Sequence, residues 1–289
     1  MLASLSSSLV LGLSIGSIFL IAAIGLAVVY GAAGVINMAH GELIMLGAYT
    51  TFILQSVGVP FLICIPIAAL VVALIGLAIE FSLIRHLYDR PLDTLLATWG
   101  VSLVLMQGVR LIFGSSPKFI QVPEAMTANV EMGIINISVF RIFLIISAAV
   151  LLALTWYIFY KTRMGIQIRA VTQNKEMAAS FGINSSLVYA VTFSIGAGLA
   201  GVAGALFGAY NIVLPTMGMS YVVEAFMMVV SGGGGIMGTL LAAALAGEVL
   251  SLFAFILNDT FARGILYGLI VILLRFRPQG LIGSSTTRR

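Results

Sequence analysis

The chain has 289 residues, of which 61% are hydrophobic and only 8% charged, with a formal net charge of +4. Water-soluble domains carry about 25% charged residues, so this composition excludes a soluble globule and predicts a helical membrane protein. At roughly 20 residues per span plus loops, the length allows about eight or nine spans. We therefore expect an all-α, polytopic fold in which residues 1–289 form a single transmembrane domain. The lone Cys64 excludes an intramolecular disulfide and a cysteine-built metal site.

Nine apolar segments follow one another along the chain. They cover about 9–30, 41–57, 61–84, 94–113, 138–160, 187–210, 221–231, 236–257 and 263–274. Stretches 31–57 and 221–236 are interrupted by polar residues or glycines, so either could enter the membrane as a half-helix and return. The sixth segment is rich in small residues, and the spacings Gly196–Ala200 and Gly204–Gly208 predict close helix packing.

Short basic loops predict the orientation. Three clusters of Lys and Arg lie at 85–90, 161–175 and 275–289, and even numbers of predicted spans separate them. All three should therefore face the cytoplasm. The N-terminus and the polar loop 114–137 are then external, and the C-terminus is cytoplasmic.

Residues 31–50 hold the densest group of polar side chains between apolar runs, namely Asn37, His40 and Glu42. Ionisable groups inside a membrane are costly and usually functional, which favours a role in lining or gating a pathway. Alternatively, Asn37 caps the second span while His40 and Glu42 stabilise its start. Both interpretations remain open. A metal site is disfavoured because the only other histidine, His86, belongs to another loop.

The fourth span carries a polar stripe of Thr98 and Ser102, extended by Gln107, with Trp99 beside it. Such a stripe suits either ordinary helix–helix hydrogen bonding or the passage of a small neutral solute.

Three further acids lie in apolar segments. Glu80 is about one turn from Arg85, and we interpret it as an interfacial charge. Glu224 begins a short span and Glu248 lies in the middle of another, so each could form an interhelical hydrogen bond or belong to a polar pathway.

Residues 161–186 are too polar to cross a membrane. As a helix, residues 170–181 would place Ala170, Met177, Ala178 and Phe181 near one face, with Gly182 as the stop. This face would lie on lipid or insert into a groove of a partner protein.

Two negative observations limit the chemistry. No GxxxxGK[ST] phosphate loop occurs, so any ATPase that drives transport would be another chain. No Ser/His/Asp constellation is evident, which disfavours a membrane enzyme.

The strings GVINMAHGELIMLGAY, RAVTQNKEMAASFGIN, GAGLAGVAGAL and RPQGL resemble the permease subunits of branched-chain amino acid-type ABC importers. The resemblance covers essentially the whole chain. Within the family, IRHLYDRPLDTLLATWGVSL and AVTQN look more like the urea-importing branch.

The resemblance implies an importer in the bacterial inner (plasma) membrane. Its partners would be two ATP-binding subunits that hold ATP and Mg, a second permease subunit (a heterodimer), an extracytoplasmic solute-binding protein and membrane lipid. No nucleic acid and no cofactor in this chain are expected. The family's coupling helix maps onto 169–182 within the cytoplasmic loop 161–186. The expected ATPase-coupling residues are Arg163, Arg169, Lys175, Met177, Phe181 and Gly182. The expected pathway or gate residues are Asn37, His40, Glu42, Thr98, Trp99, Ser102 and Glu224.

The sequence therefore favours a permease that moves a small polar solute, most of all urea, inward by alternating access. One alternative is the same machine for branched-chain or other amino acids; a zwitterion should favour a paired charge or a helix-end dipole, whereas urea should not. Another is a stand-alone channel or a proton-coupled carrier.

Overall fold

The structure is a computed structural model that describes residues 2–88, 90–132 and 135–283, with only the backbone of residues 2–7, 131, 132, 135 and 136. Arg288 and Arg289, which contribute to the orientation argument, lie outside the described residues. The described chain is nearly all helical. Its helices are α1 Leu2–Ala33, α2 His40–Ser56, α3 Phe61–Ser82, α4 Pro91–Phe113, α5 Glu124–Thr127, α6 Val139–Lys161, α7 Arg163–Gln173, α8 Lys175–Ser180, α9 Ser185–Tyr210, α10 Met217–Gly232, α11 Ile236–Ile256 and α12 Asp259–Phe276.

The all-α expectation is wrong in one loop. Strands β1 Asn129–Met132 and β2 Ile135–Ser138 pair antiparallel within the polar stretch 114–137. The sequence NVEMGIINIS alternates polar and apolar residues, which favours a hairpin over a helix. Val139 then donates its backbone N–H to the Ala128 carbonyl at 3.0 Å and leads into α6.

Among the described residues, six helical segments are long and apolar enough to cross a membrane. They are Ser8–Ala33, Phe61–His86, Pro91–Phe113, Val139–Lys161, Ser185–Tyr210 and Ile236–Ile256. The other three predicted segments also form helices, but α2 and α10 have only 17 and 16 residues, and α12, with 18 residues, carries Asp259, Arg263 and Arg275. At 1.5 Å per residue, a helix of 17 residues is about 25 Å long, short of a hydrocarbon layer of about 30 Å. The total of eight or nine spans thus stays a prediction.

The chain divides into two compact units. Unit 1 contains Met1–Ala23, Val122–Leu152 and Glu224–Arg289, and unit 2 contains Ile24–Gln121 and Ala153–Val223. Each unit combines separate stretches of chain. A single domain over 1–289 remains a prediction.

Unit 2 is organised around α9, which packs against α2 and α3 through small residues. A Cβ atom added to Gly201 would lie 2.7 Å from the Ala68 carbonyl oxygen of α3, and one added to Gly204 would lie 2.7 Å from the Ala48 amide nitrogen of α2. The predicted close packing through the glycines of this segment is therefore confirmed.

One side of unit 2 is fixed by two pairs of hydrogen bonds. Lys118 and Val213 exchange backbone N–H···O bonds of 3.0 Å, which ties the loop after α4 to the segment between α9 and α10. The Gln55 side chain, near the end of α2, bonds both backbone groups of Gln121. The end of α2 and the chain leading to α10 are thus held by the same loop.

In unit 1, α1 packs against α11. Ser251 donates its hydroxyl to the Ser8 carbonyl at 2.7 Å, and a Cβ on Gly16 would lie 2.9 Å from the Ala243 carbonyl oxygen. Glycine at position 16 permits this close approach of the two backbones.

Candidate functional site

Helix α2 begins level with the middle of α9. The His40 ring and the Gly196 carbonyl oxygen of α9 both lie against Gly25 of α1. A Cβ atom placed on Gly25 would lie 2.9 Å from the ring and 2.5 Å from that oxygen. Gly196 is the twelfth of the 26 residues of α9. At 1.5 Å per residue it lies about 16 Å from the start of that helix and about 21 Å from its end. Because α9 is long enough to span a membrane, α2 starts deep within the apolar layer.

Residues 34–39 lead from the end of α1 back to this depth as irregular chain. Gly34 adopts a left-handed φ of +66°, which glycine tolerates without strain. The Asn37 side chain is buried and accepts a hydrogen bond from the Ala39 N–H at 3.0 Å. The prediction that Asn37 caps α2 is wrong, since Ala39 occupies the N-cap without a side-chain hydrogen bond. Asn37 instead stabilises a turn before the helix.

Helix α10 begins against the start of α2. A Cβ on Gly41 would lie 2.7 Å from the carbonyl carbon of Gly218, and a Cβ on Gly218 would lie 2.7 Å from that of Gly41. Each glycine is the second residue of its helix. The two short helices thus meet start to start, which agrees with the half-helix interpretation of both segments. Helix starts carry partial positive charge, and two such ends converge here.

Glu42 projects from the first turn of α2 at this junction and is 1% exposed. The Ser102 hydroxyl donates to its Oε1 at 3.2 Å. Its Oε2 has no hydrogen-bond partner among the described residues and lies 2.6 Å from a Cβ placed on Gly218. No described cationic side chain forms an ion pair with Glu42. The junction therefore contains a carboxylate oxygen with an open acceptor position.

Helix α4 contributes the buried side of the predicted stripe. The Met38 N–H donates to Thr98 Oγ1 at 3.1 Å, and the Thr98 hydroxyl donates to the Leu95 carbonyl at 3.0 Å. Thr98 and Ser102 are both buried, one helical turn apart. Together with Asn37, His40 and Glu42, they surround the start of α2. Gly218 completes the group and was not singled out from the sequence, although a glycine opening a short helix after Pro215 is a usable signal.

The structure does not bring every predicted pathway residue to this group. Trp99 is 40% exposed, because it follows Thr98 by one residue and therefore points about 100° away around the helix. Gln107 is exposed and does not extend the stripe. Glu224 belongs to unit 1, where its carboxylate accepts a hydrogen bond from Arg263 of α12. Its predicted role in the pathway stays a prediction.

Glu80 is fully buried in the last turn of α3, and its interpretation as an interfacial charge stays a prediction. It accepts a hydrogen bond from the Tyr88 hydroxyl at 3.2 Å, while Arg85 donates to Ser186 Oγ at 2.8 Å. Burial, together with the nearby Glu80 carboxylate, raises the pKa of Tyr88 above its ordinary value. The Tyr88 hydroxyl therefore keeps its proton and remains a donor.

Glu248 lies in α11 against Gly12 of α1, with its Oε2 2.5 Å from a Cβ placed on that glycine. This oxygen has no hydrogen-bond partner among the described residues. The interhelical hydrogen bond considered from the sequence is therefore absent from the described part of unit 1.

The predicted single helix over 170–181 is wrong, because the chain breaks at Asn174. Its side chain accepts from the Met177 N–H at 2.8 Å and caps the short helix α8. Gly182, at a φ of +78°, confirms the predicted stop. Ala178 is buried, whereas Met177 and Phe181 are 57% and 79% exposed. The break therefore leaves two large apolar side chains facing outward.

The basic residues of this segment differ in their surroundings. Arg169 donates to the Phe159 carbonyl, with its guanidinium 5.6 Å from the Tyr160 ring centroid. Arg163 and Lys175 are exposed. Thr172 Oγ1 donates to the Ala32 carbonyl at 3.1 Å, which attaches α7 to the end of α1.

The fold and this site define a multi-pass helical membrane protein with a polar junction between short helices. Within the described ranges, no group of three or more His, Cys, Asp or Glu side chains could hold a metal ion. The chain belongs to the family described as branched-chain amino acid transport system / permease component, which matches residues 8–274.

Named relatives agree with this assignment. The chain is 34% identical to the high-affinity branched-chain amino acid transport system permease protein BraD of Pseudomonas aeruginosa, over 95% of this chain and 94% of that protein. It is 31% identical to LivH of Escherichia coli, a permease protein with the same system description, over 94% of this chain and 93% of that protein. It is also 26% identical to LivM of Salmonella typhimurium, over 92% of this chain and 68% of that protein. No solved structure matches the chain.

Proposed function

We propose that this chain is the permease subunit of an ATP-driven importer that carries branched-chain amino acids into the cell. BraD, LivH and LivM are all named for branched-chain amino acid transport. These relatives support the amino-acid alternative better than the urea interpretation favoured from the sequence.

The observation that carries the proposal is the junction of α2 and α10. The partial positive charge of two helix starts favours a bound carboxylate. The Glu42 oxygen that lacks a hydrogen-bond partner favours a bound ammonium group. An amino acid offers both groups on one carbon atom. Urea is uncharged and needs neither a helix-end charge nor an acid for its recognition.

The partners follow from the family. Two ATP-binding subunits would hold ATP and Mg, and an extracytoplasmic binding protein would deliver the solute. Salmonella typhimurium has both a LivH and a LivM permease named for the same system, which supports a second, different permease beside this chain. The protein would reside in the bacterial inner membrane, with its N-terminus outside and its C-terminus in the cytoplasm.

The loop 161–186 would couple the permease to the ATPases. Met177 and Phe181 present apolar area that would fill a groove on an ATPase subunit, and Arg163 and Lys175 would flank it. Movement of the loop would reach the membrane through the bond of Thr172 to the end of α1.

The test is transport by the reconstituted complex. This chain, its second permease, the ATPases and the binding protein are placed in proteoliposomes, and uptake of radiolabelled leucine and urea is measured. We expect ATP-dependent leucine uptake that excess urea does not reduce, and none with ATPases that cannot hydrolyse ATP. Urea uptake without leucine uptake would restore the urea interpretation. ATP-independent uptake by this chain alone would indicate a channel or carrier.

A further inference from the structure

We propose that Glu42 Oε2 binds the ammonium group of the transported amino acid, while the starts of α2 and α10 bind its carboxylate. This inference rests on the proposed function and names the substrate site within it. The site is formed by residues of unit 2 alone, namely Gly41, Glu42, Ser102 and Gly218.

A buried polar atom without a hydrogen bond is unfavourable, and more so for an ion in a medium of low dielectric constant. Glu42 is 99% buried, yet its Oε2 lacks a partner within the described chain. An ammonium group would supply both the donor and the opposite charge.

The Glu42 Oε2 atom lies against Gly218, in the first turn of α10. Amides in the first turn of a helix have no carbonyl partner within that helix. Glycine at positions 41 and 218 adds no side chain of its own over these amides. An α-amino acid could therefore place its carboxylate on the amides and its ammonium group on Glu42.

The backbones of Gly41 and Gly218 are in direct contact, so this conformation holds the two helix starts together. Binding requires the two glycines to separate, and the substrate then takes the place of their contact. The same contact therefore closes the site when it is empty.

Ser102 acts as a positioning residue. Its hydroxyl donates to Oε1, so this oxygen is satisfied and Oε2 is left to face Gly218. Replacement of Ser102 by alanine would free the carboxylate to rotate without removing its charge.

Glu80 provides a matched control. Like Glu42, it is fully buried, accepts one hydroxyl hydrogen bond of 3.2 Å at Oε1 and has no partner at Oε2 within the described chain. It lies on α3 beside Tyr88 and away from the helix starts. A Glu80→Gln variant therefore reproduces the loss of a buried charge without touching the proposed site.

The experiment measures equilibrium binding of radiolabelled L-leucine to the purified permease–ATPase complex without the binding protein. We expect Glu42→Gln to weaken binding at least tenfold, and Glu80→Gln to change it less than twofold. Competition by 2-hydroxy-4-methylpentanoate, which lacks the ammonium group, should be at least tenfold weaker than competition by leucine in the wild-type complex. In Glu42→Gln this difference should shrink to about threefold, an effect that a merely structural role would not produce.

The inference is overturned if Glu42→Gln binds leucine like the wild type, if its hydroxy-acid discrimination is unchanged, or if the wild-type complex does not bind leucine. ATP-dependent leucine uptake by the wild type would in each case leave the proposed function intact. Should Glu42→Gln fail to assemble, Glu42→Asp keeps the charge but moves it back by one methylene. That variant should retain discrimination against the hydroxy acid with weaker leucine binding, and loss of discrimination would contradict the inference.

Discussion

Replacement of Gly204 by alanine tests how closely α9 packs on α2. The added methyl group would meet backbone atoms of α2, namely the Ile44 carbonyl oxygen, the Ala48 nitrogen at 2.7 Å and the Gly47 Cα at 2.9 Å. Favourable contacts of a carbon atom begin near 3.5 Å, and the Ile44 oxygen is the nearest of the three atoms, so α2 would have to move by more than about 1 Å. Overpacking of this kind costs about 1–3 kcal/mol.

The matched control is Gly198→Ala on the same helix. There the methyl group would lie 3.3 Å from the Ala69 carbonyl oxygen and 3.4 Å from the Ala73 Cβ, which requires a much smaller adjustment. A loss of 2 kcal/mol corresponds to a decrease in Tm of about 4–8 °C for a chain of this size. We expect such a decrease for Gly204→Ala in detergent and less than half of it for Gly198→Ala. Equal stability of the two variants would refute the packing argument.

Two further predictions concern the coupling loop and unit 1. Phe181→Asp should reduce the amount of ATPase subunit that co-purifies with the permease, while Phe119→Asp, at an exposed phenylalanine in the loop predicted to be external, should leave it unchanged; equal effects would contradict a coupling role. Glu224→Ala should lower the free energy of unfolding by about 2 kcal/mol, because the nearly buried Glu224 accepts a hydrogen bond from Arg263. Asp259→Ala should lower it by under about 1 kcal/mol, because the pair of Asp259 with the same arginine is exposed. Thermal unfolding of the two variants compares them, and a larger loss for Asp259→Ala would reverse the ranking.

The apolar segments were predictable because hydrophobic length is a local property of the sequence. All nine form helices, and the glycine spacing of α9 predicted its packing correctly. The start of α2 was harder to predict. Asn37 has the residue type of a cap, but the helix begins three residues later because the intervening chain makes a turn of its own.

The residues that meet in space were less predictable. Thr98 and Trp99 are neighbours in sequence, yet only Thr98 contacts the start of α2, and this depends on how α4 is rotated. Sequence distance pointed to Arg85 as the neighbour of Glu80, whereas the hydrogen bond that the fold gives Glu80 comes from Tyr88. The contact of Gly41 with Gly218 joins segments far apart in the chain, and no local pattern indicates it.

These findings change the interpretation of the polar stretch 31–50. Its Asn37, His40 and Glu42 side chains are buried around the start of α2. They belong to a junction of two short helices, at which Glu42 is the acid left without a cationic partner among the described residues. This arrangement favours recognition of a zwitterion over passage of a neutral solute.

The most direct measurement is an experimental structure of the importer with leucine bound in the permease. We predict the leucine ammonium nitrogen at about 2.7–2.9 Å from Glu42 Oε2, as in a charge-assisted hydrogen bond, with Gly41 and Gly218 separated. Leucine bound elsewhere in the permease, with the two glycines still in contact, would contradict the account.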